Sequence, residues 1–435
     1  GLGSTGTPAG QSGVTPISLD AIEEFQIVVS PFDVRQAGFT GAGINAITRS
    51  GTNTLKGSAF YYRRNQDLVG VSPDALQTKL PPFTEYSTGF RLGGPIIENQ
   101  LFFFVNGEMA RKESPFTRTY GNDKIGTNAS TAIADSLRLI TDALKTKYGY
   151  ESGSWNDIPW FDNSDKFFVR FDFNLSESHK LTARWNYLKS TNDNSPSRFR
   201  GTADFYSENA RYKLNNTTHS FALQFNSVFG NTASNELIVG YNDQFDNPVY
   251  YGAAFPTVEI RTIGSGTDKT VQRLAVGAEE FRHYNELGQK HLEITDNFTY
   301  YLPGHTLTAG FKYDNFKFRN LFIADGFGWY QYNSVAAFLA GGKAASYAYR
   351  YSATSDPKQE ANWGANQLGF YAQDEWTVTP TLKITAGVRV DLASYPDTPN
   401  NNAAFDSTFT GRGYNLKTSK LPATYAAISP RIGFN

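Results

Sequence analysis

The sequence predicts an all-β protein, a transmembrane antiparallel up-and-down β-barrel, and three observations carry that prediction. Short turns alternate with long polar connections along the chain. The segments between them alternate apolar and polar residues at period two. Several of those segments run well past ten residues. Barrels of the outer-membrane type have short turns at one end and long loops at the other, whereas a soluble sandwich has no reason to keep every second connection tight.

The tight connections are Pro95–Gln100, Ser176–His179, Gly230–Ala233, Pro303–His305 and Pro380–Thr381. Between them lie polar stretches at 69–83, 114–164, 191–216, 247–290, 321–365 and 397–427, which the pattern places outside the cell. Eleven strands are expected, at 54–68, 84–94, 100–113, 165–175, 179–193, 217–229, 233–246, 291–302, 305–319, 366–379 and 382–395, with a twelfth beginning at Ile428. A membrane strand needs about 9–11 residues, against about 5–6 for the commonest soluble strand.

Within the strands the two faces separate cleanly. Phe167, Val169, Phe171, Phe173 and Leu175 form one face, and Lys166, Phe168, Arg170, Asp172 and Asn174 the other. At 382–392, Leu382, Ile384, Ala386, Val388, Val390 and Leu392 oppose Lys383, Thr385, Gly387, Arg389 and Asp391. In a barrel the first sets face lipid and the charged sets line a polar lumen. Strict alternation also puts Asp296 and Asp374 on the lipid side, where an unpaired carboxylate is costly. Both lie a few residues before tight turns, so a structural role near the interface, or a bulge that reverses the register, is expected of them.

Composition agrees. Aromatic residues make up 15% of 435 residues, supplied by 34 Phe and 25 Tyr, as interfacial girdles require. Mean hydropathy is −0.44, which is compatible with a membrane barrel because only every second strand residue meets lipid. No apolar run is long enough for a transmembrane helix. The net charge of −1 gives no electrostatic footprint for nucleic acid. Cysteine is absent, which excludes disulfides and thiolate sites. The chain does not begin with Met, so a processed or truncated start is expected.

One loop carries its own helix. Ile133, Leu137, Ile140 and Leu144 share a helical face over 130–148, with Ser130 as N-cap and Gly149 as stop, and this helix is expected to pack over the outer mouth. The first fifty residues read differently from the barrel. A Gly/Ser/Thr-rich start leads to a strand at Ile22–Val29, then to Gly41 and Gly43, which would permit a tight turn before a short buried strand.

Asp20-Ala-Ile-Glu-Glu-Phe25 and Gly43-Ile-Asn-Ala-Ile-Thr-Arg-Ser-Gly-Thr-Asn53 resemble the end of the plug domain of TonB-dependent outer-membrane transporters. Lys56-Gly-Ser-Ala-Phe-Tyr-Tyr-Arg-Arg-Asn65 resembles their first barrel strand. The Oar-like branch is the nearest, through Ser30–Gly38, Gly93–Phe104 and Tyr371–Trp376. The resemblance covers essentially the whole chain and implies residues 1–53 as the C-terminal part of a plug and 54–435 as the first half of a barrel. The family's barrel has about 22 strands, so the chain is expected to be part of a longer one. It implies capture of an extracellular peptide, glycan or chelate by the outer loops, and import powered by the TonB–ExbB–ExbD complex. Outer-membrane lipid and a surface lipoprotein complete the expected partners, and the location implied is the outer membrane of a Gram-negative cell. The plug segment lacks the Arg-Gly-Pro turn common in siderophore transporters, which argues against that cargo.

Gly41, Gly43, Asn45 and Arg49 are the expected plug turn. Arg170, Arg184, Lys312 and Arg389 are expected to point into the lumen and contact the plug or passing cargo, plug bonding being the preferred reading. The histidines at 179, 219, 283, 291 and 305 show no metal-ligand spacing, and no nucleophile elbow or phosphate loop occurs. No catalytic residue, cofactor or metal is therefore expected, and the protein reads as no enzyme. A surface adhesin or scaffold, or a protein-export conduit, built on the same barrel is the alternative.

Overall fold

The computed structural model describes residues 13–29, 32–37, 42–73, 77, 79–115, 131–155, 158–198, 204–263 and 271–435. In chain order, β1 (Ile22–Val29) and β2 (Ala42–Thr48) form an antiparallel hairpin of their own. Then come β3 (Lys56–Asn65), β4 (Thr84–Ile97), β5 (Leu101–Pro115), β6 (Pro159–Ser176), β7 (His179–Asn194) and the short β8 (Asp204–Tyr206). β9 (Tyr212–Phe229) and β10 (Ala233–Tyr250) precede β11 (Thr257–Ile263) and β12 (Val271–Val276). β13 (Tyr284–Leu302) and β14 (His305–Ile323) precede β15 (Trp329–Tyr332) and β16 (Ser346–Ala348). β17 (Ala361–Thr379), β18 (Leu382–Ser394) and β19 (Ala426–Phe434) close the order.

Twelve of these strands form one antiparallel sheet, ordered β19-β18-β17-β14-β13-β10-β9-β7-β6-β5-β4-β3. Every barrel strand pairs with the barrel strand next in sequence, so the topology is up-and-down at each of the twelve expected positions. The five tight connections all fall at one end, because β5, β7, β10, β14 and β18 each begin within a few residues of the strand before. Most strands are longer than the alternation suggests, but β3 stops at Asn65, where a helical turn over Gln66–Val69 replaces the end of the expected 54–68 strand, and β18 ends at Ser394. β13, β14 and β17 each have 19 residues, about twice a membrane span. The surplus lies at the long-loop end, so β6, β9, β10, β13, β14 and β17 reach into stretches expected to be loop.

The outer face carries an exposed apolar band that includes Phe171, Phe221, Leu223, Phe298, Leu307, Phe370 and Val388. These residues sit at the middle of their strands or nearer the tight turns, where lipid replaces protein as the apolar neighbour. Asp296 and Asp374 stay on this face, since the ladder beside Asp296 has no bulge and the one at Thr377/Thr379 lies beyond Asp374, toward the turn. Each has a polar partner instead. Asn235 Nδ2 donates to Asp296 Oδ1 at 3.0 Å, and His305 Nδ1 lies 2.8 Å from Asp374 Oδ2, in the turn below it.

The long connections are not independent loops. β8, β11, β12, β15 and β16, drawn from three of them, pair into a second, mixed sheet ordered β16-β15-β11-β12-β8, in which β11–β15 and β12–β8 run parallel. The helix Thr131–Tyr148, from a fourth connection, packs on it. Leu137, Ile140 and Leu144 are buried among Trp155, Phe205, Val258, Ile260, Leu274, Val276 and Phe338. The expected helix is thus present, but it builds the core of a co-folded cap rather than lying across a mouth alone. Gly149 ends it with φ +64°, its N–H donating to Lys145 O at 3.1 Å. Ser130 lies outside the described residues, as does the side chain of Ile133.

Candidate functional site

The lumen face of the large sheet holds the N-terminal segment at two places, and the residues that do so come from the polar sets of the strands. The first seat is on β4–β7. Lys166 Nζ donates to Thr15 Oγ1 and to Glu108 Oε1, both at 2.9 Å, and Ser18 Oγ donates to Glu108 Oε2 at 2.5 Å. Asn186 Nδ2 donates to Pro16 O at 2.9 Å, and Arg91 Nη1 pairs with Asp20 Oδ1 at 3.1 Å. Arg170 Nη1 donates to Thr48 O at 2.7 Å, while its Nε and Nη2 grip Asp172 at 2.7 and 2.9 Å. A small apolar contact seals this seat. Ala21 is fully buried against Phe104 and Phe168, an apolar residue set between Lys166 and Arg170 on the polar side of β6.

The second seat, on β17–β19, holds residues 32–37. Val34 is fully buried. Its N–H donates to Gln373 Oε1 at 3.0 Å, and its carbonyl accepts from Arg389 Nη1 at 3.2 Å. Arg431 Nη1 donates to Asp33 O at 2.5 Å and to Gln36 O at 2.8 Å. The wall is cut back where the segment presses on it. A Cβ at Gly387 would stand 2.6 Å from Val34 Cγ1, and one at Gly433 would stand 3.0 Å from the Phe32 ring. Most of these bonds read main-chain atoms of the segment, so the seat fixes a backbone path more than a set of side chains.

The order of magnitude of this second seat is informative. Three bonds from guanidinium groups and one neutral bond contribute about 5–10 kcal/mol, and burying Val34 adds about 2 kcal/mol. Ordering a six-residue segment costs about 6–12 kcal/mol. The two sides are of similar size and leave a net of a few kcal/mol, so this seat holds the segment without making it a permanent part of the wall.

Two of the four expected lumen contacts, Arg170 and Arg389, bond the N-terminal segment. The other two do not. Lys312 Nζ lies 2.8 Å from Glu293 Oε2 and 3.7 Å from Asp314 Oδ1. Arg184 faces Arg170 across the β6–β7 ladder and makes no ion pair among the described residues. The expected turn is placed differently. Gly41 lies outside the described residues. Gly43 and Asn45 are strand residues of β2, opposite Val28 and Gln26, and a Cβ at Gly43 would meet nothing within 4 Å. The strand itself is largely exposed rather than buried, Ile44 retaining 70% of its surface, because the described part of the hairpin has no layer on that side. Arg49 closes the hairpin by donating its N–H to Ala21 O at 2.9 Å. Its side chain lines a cavity of about 210 Å³ with Glu23, Lys56 and Arg91.

Gln373, Arg431, Lys166, Glu108 and Asn186 were not singled out by sequence. Their only signal is position on the polar side of a strand, which they share with many residues that touch nothing. Spacing along the sequence also passes over His291. Spacing along one strand cannot register a set assembled across two, and His291, Glu293 and Asp314 bring their ligand atoms within 4.8 Å of one another.

Above the lumen, the join between cap and sheet buries a charged set. Arg211 and Asp193 are both fully buried, 3.5 Å apart, with the Tyr251 ring 4.6 Å from the guanidinium. Glu279 Oε1 and Oε2 accept the N–H groups of Ser197 and Phe281 at 2.9 and 3.0 Å. Glu280 is fully buried, with Arg198 Nε at 3.2 Å as its counter-charge. Burial, reinforced by the neighbouring Glu279, pushes the Glu280 carboxyl up to about 7. Burial drives the nearby His283 down to about 4, although Ala278 O accepts from its ring at 3.2 Å. On the cap surface Tyr347, Tyr349 and Tyr351 expose half or more of their area.

Comparison with known proteins places this geometry. A family model described as an outer membrane beta barrel domain matches residues 47–122 and 119–435. Over 149 residues the sequence is 26% identical to the TonB-dependent transporter Oar of Myxococcus xanthus, a stretch that covers 32% of this chain and 14% of that protein. The outer membrane transporter YddB of Escherichia coli superposes with a TM-score of 0.58 at 13% identity, over 96% of this chain and 45% of that one. A variant of the ferric enterobactin receptor of Pseudomonas aeruginosa gives a TM-score of 0.50 at 13% identity, over 86% and 45%. The chain spans less than half the length of each of these relatives.

Proposed function

The chain belongs to the outer membrane beta barrel domain family, and from that premise we propose that it forms part of an active transporter of the Gram-negative outer membrane. In this reading the cap at the long-loop end faces the exterior and captures a peptide, glycan or chelate. The N-terminal segment is a plug that blocks the lumen until the TonB–ExbB–ExbD complex draws it off its seats. The cargo crosses without covalent change.

The observation that carries the proposal is the second seat. It holds residues 32–37 by four hydrogen bonds, to main-chain atoms of Asp33, Val34 and Gln36. A pull along the backbone meets such bonds one after another, so a modest force opens them in sequence rather than all at once. The similarity to a TonB-dependent transporter supports the choice of energy source.

The test is a reversible lock. These 435 residues contain no cysteine, so Phe32→Cys with Gly433→Cys adds a thiol pair with no competitor among them, at a contact whose Cβ positions lie within disulfide reach. Cells lacking the gene are first screened for growth on peptides, glycans and metal chelates. The full-length locked protein should fail to restore growth on the dependent compound until a membrane-permeant reductant is added. Full growth with the disulfide formed would refute a plug that must leave this seat.

A further inference from the structure

On the lumen wall, away from both seats, β13 and β14 bring three metal-ligating side chains of two kinds to one point. His291 and Glu293 are two apart on β13 and so share a face, and Asp314 is the ladder partner of Glu293 on β14. His291 Nε2 lies 2.7 Å from Asp314 Oδ1, and the three ligand atoms all lie within 4.8 Å of one another. Metal–ligand bonds of about 2.0–2.2 Å set tetrahedral donors about 3.4 Å apart, so side-chain shifts of about an ångström would bring all three onto one ion.

The surroundings fix and open the site at once. The imidazole stacks on Phe316 with centroids 4.3 Å apart and planes 2° from parallel, which holds the ring plane. Thr295 Oγ1 donates to Glu293 Oε1 at 3.4 Å. Gly240 faces Glu293 across the β10–β13 ladder, and a Cβ there would meet only Glu293 Cβ, at 3.7 Å, so the space beside the carboxylate stays clear. Lys312 supplies the only cation the described structure places on the cluster. Two carboxylates face a single ammonium, so the carboxylates outnumber the cation that Lys312 supplies.

We propose that His291, Glu293 and Asp314 bind a divalent transition-metal ion on the lumen wall, and that Lys312 is its built-in competitor. One imidazole and two carboxylates suit a borderline ion such as Zn²⁺ or Ni²⁺ better than Ca²⁺ or Mg²⁺, which prefer all-oxygen sites. The ammonium of Lys312 occupies the same carboxylates when the ion is away, so metal entry swings it aside. The competition separates this site from a plain ion-pair network, in which Lys312 would be a support.

Calorimetric titration of the detergent-solubilised full-length protein with ZnCl₂, and separately with NiCl₂, tests the proposal. The wild type should show one saturable site that His291→Ala and Asp314→Asn weaken at least about 10-fold. Lys312→Met should tighten it by about 10-fold, a gain that a misfolded variant cannot produce. Absence of saturable binding by the wild type overturns the proposal. So does binding that His291→Ala leaves unchanged, or that Lys312→Met weakens.

Discussion

Replacing Arg431 with methionine isolates the second seat better than any other single change. The Arg431 guanidinium donates to Asp33 O and Gln36 O and has no ion-pair partner among the described residues, so its removal strands no buried carboxylate. Methionine keeps much of the aliphatic stem that packs on the wall. Two charge-assisted bonds to carbonyls, at about 1.5–3 kcal/mol each, set an upper bound of about 6 kcal/mol. The carbonyls can recover water once the segment lifts, so about 3 kcal/mol is the expected loss, or about 100-fold in the opening equilibrium. The Val34 amide is a suitable reporter, because Val34 is fully buried and its acceptor among the described residues is Gln373 Oε1. Hydrogen–deuterium exchange followed by mass spectrometry should show residues 32–37 exchanging about 100-fold faster in the variant. The Arg49 amide, bonded to Ala21 O at the other seat, should keep its wild-type rate. Unchanged exchange at Val34 would refute the claim that wall-to-backbone bonds hold the segment. Equal acceleration at Arg49 would refute the claim that the seats are separate.

The cap and its charges yield two further expectations. Ile140→Ala removes a fully buried side chain from the cap core and should cost about 2–5 kcal/mol, read as faster proteolysis of the long connections while the barrel strands stay resistant. Survival of the cap at wild-type rates would show that the helix is not part of its core. The pH dependence of the cap follows from two groups of opposite sign. Glu280, raised from 4.5 to about 7, contributes stability that is lost as pH rises through that interval. His283, lowered from 6.5 to about 4, contributes stability that is lost as pH falls through its own interval. Each shift corresponds to about 3 kcal/mol, so the two slopes offset between pH about 4.5 and 6.5. Wild-type cap stability should be flat there, and Glu280→Gln should uncover a loss on acidification from pH 7 to 5, measured as protease resistance against pH. Parallel profiles for the two proteins would refute the assignment.

What could be read from sequence, and what could not, follows the range of the interactions. Period-two alternation is local, so each of the twelve wall strands was visible, and so was the side on which Arg170 and Arg389 stand. Each Asp on the lipid face was also visible, but not its rescue. Asn235 reaches Asp296 from a neighbouring strand 61 residues away, and His305 reaches Asp374 from 69. The helix at 131–148 was legible because 3.6-residue periodicity is local too. What it packs against was not, because Phe205, Ile260, Leu274 and Phe338 come from three other connections. The same three connections supply the five short strands of the cap sheet, and β8 and β16 have only 3 residues each, below the length at which alternation can be recognised.

The seats are illegible for a different reason. Gln373 and Arg431 meet Val34, Asp33 and Gln36 across more than 330 residues, and they bind main-chain atoms that every residue offers. A bond to a carbonyl leaves no pairing of residue types for a sequence reader to notice. The trace it does leave is indirect, in the glycines at 387 and 433 that make room for Val34 and Phe32 within strands where glycine is otherwise unfavourable. A seat of this kind tolerates change in the side chains of the segment while holding its path. That is the property the proposed plug would need if cargo, and the side chains that face it, are to vary while one mode of release is kept.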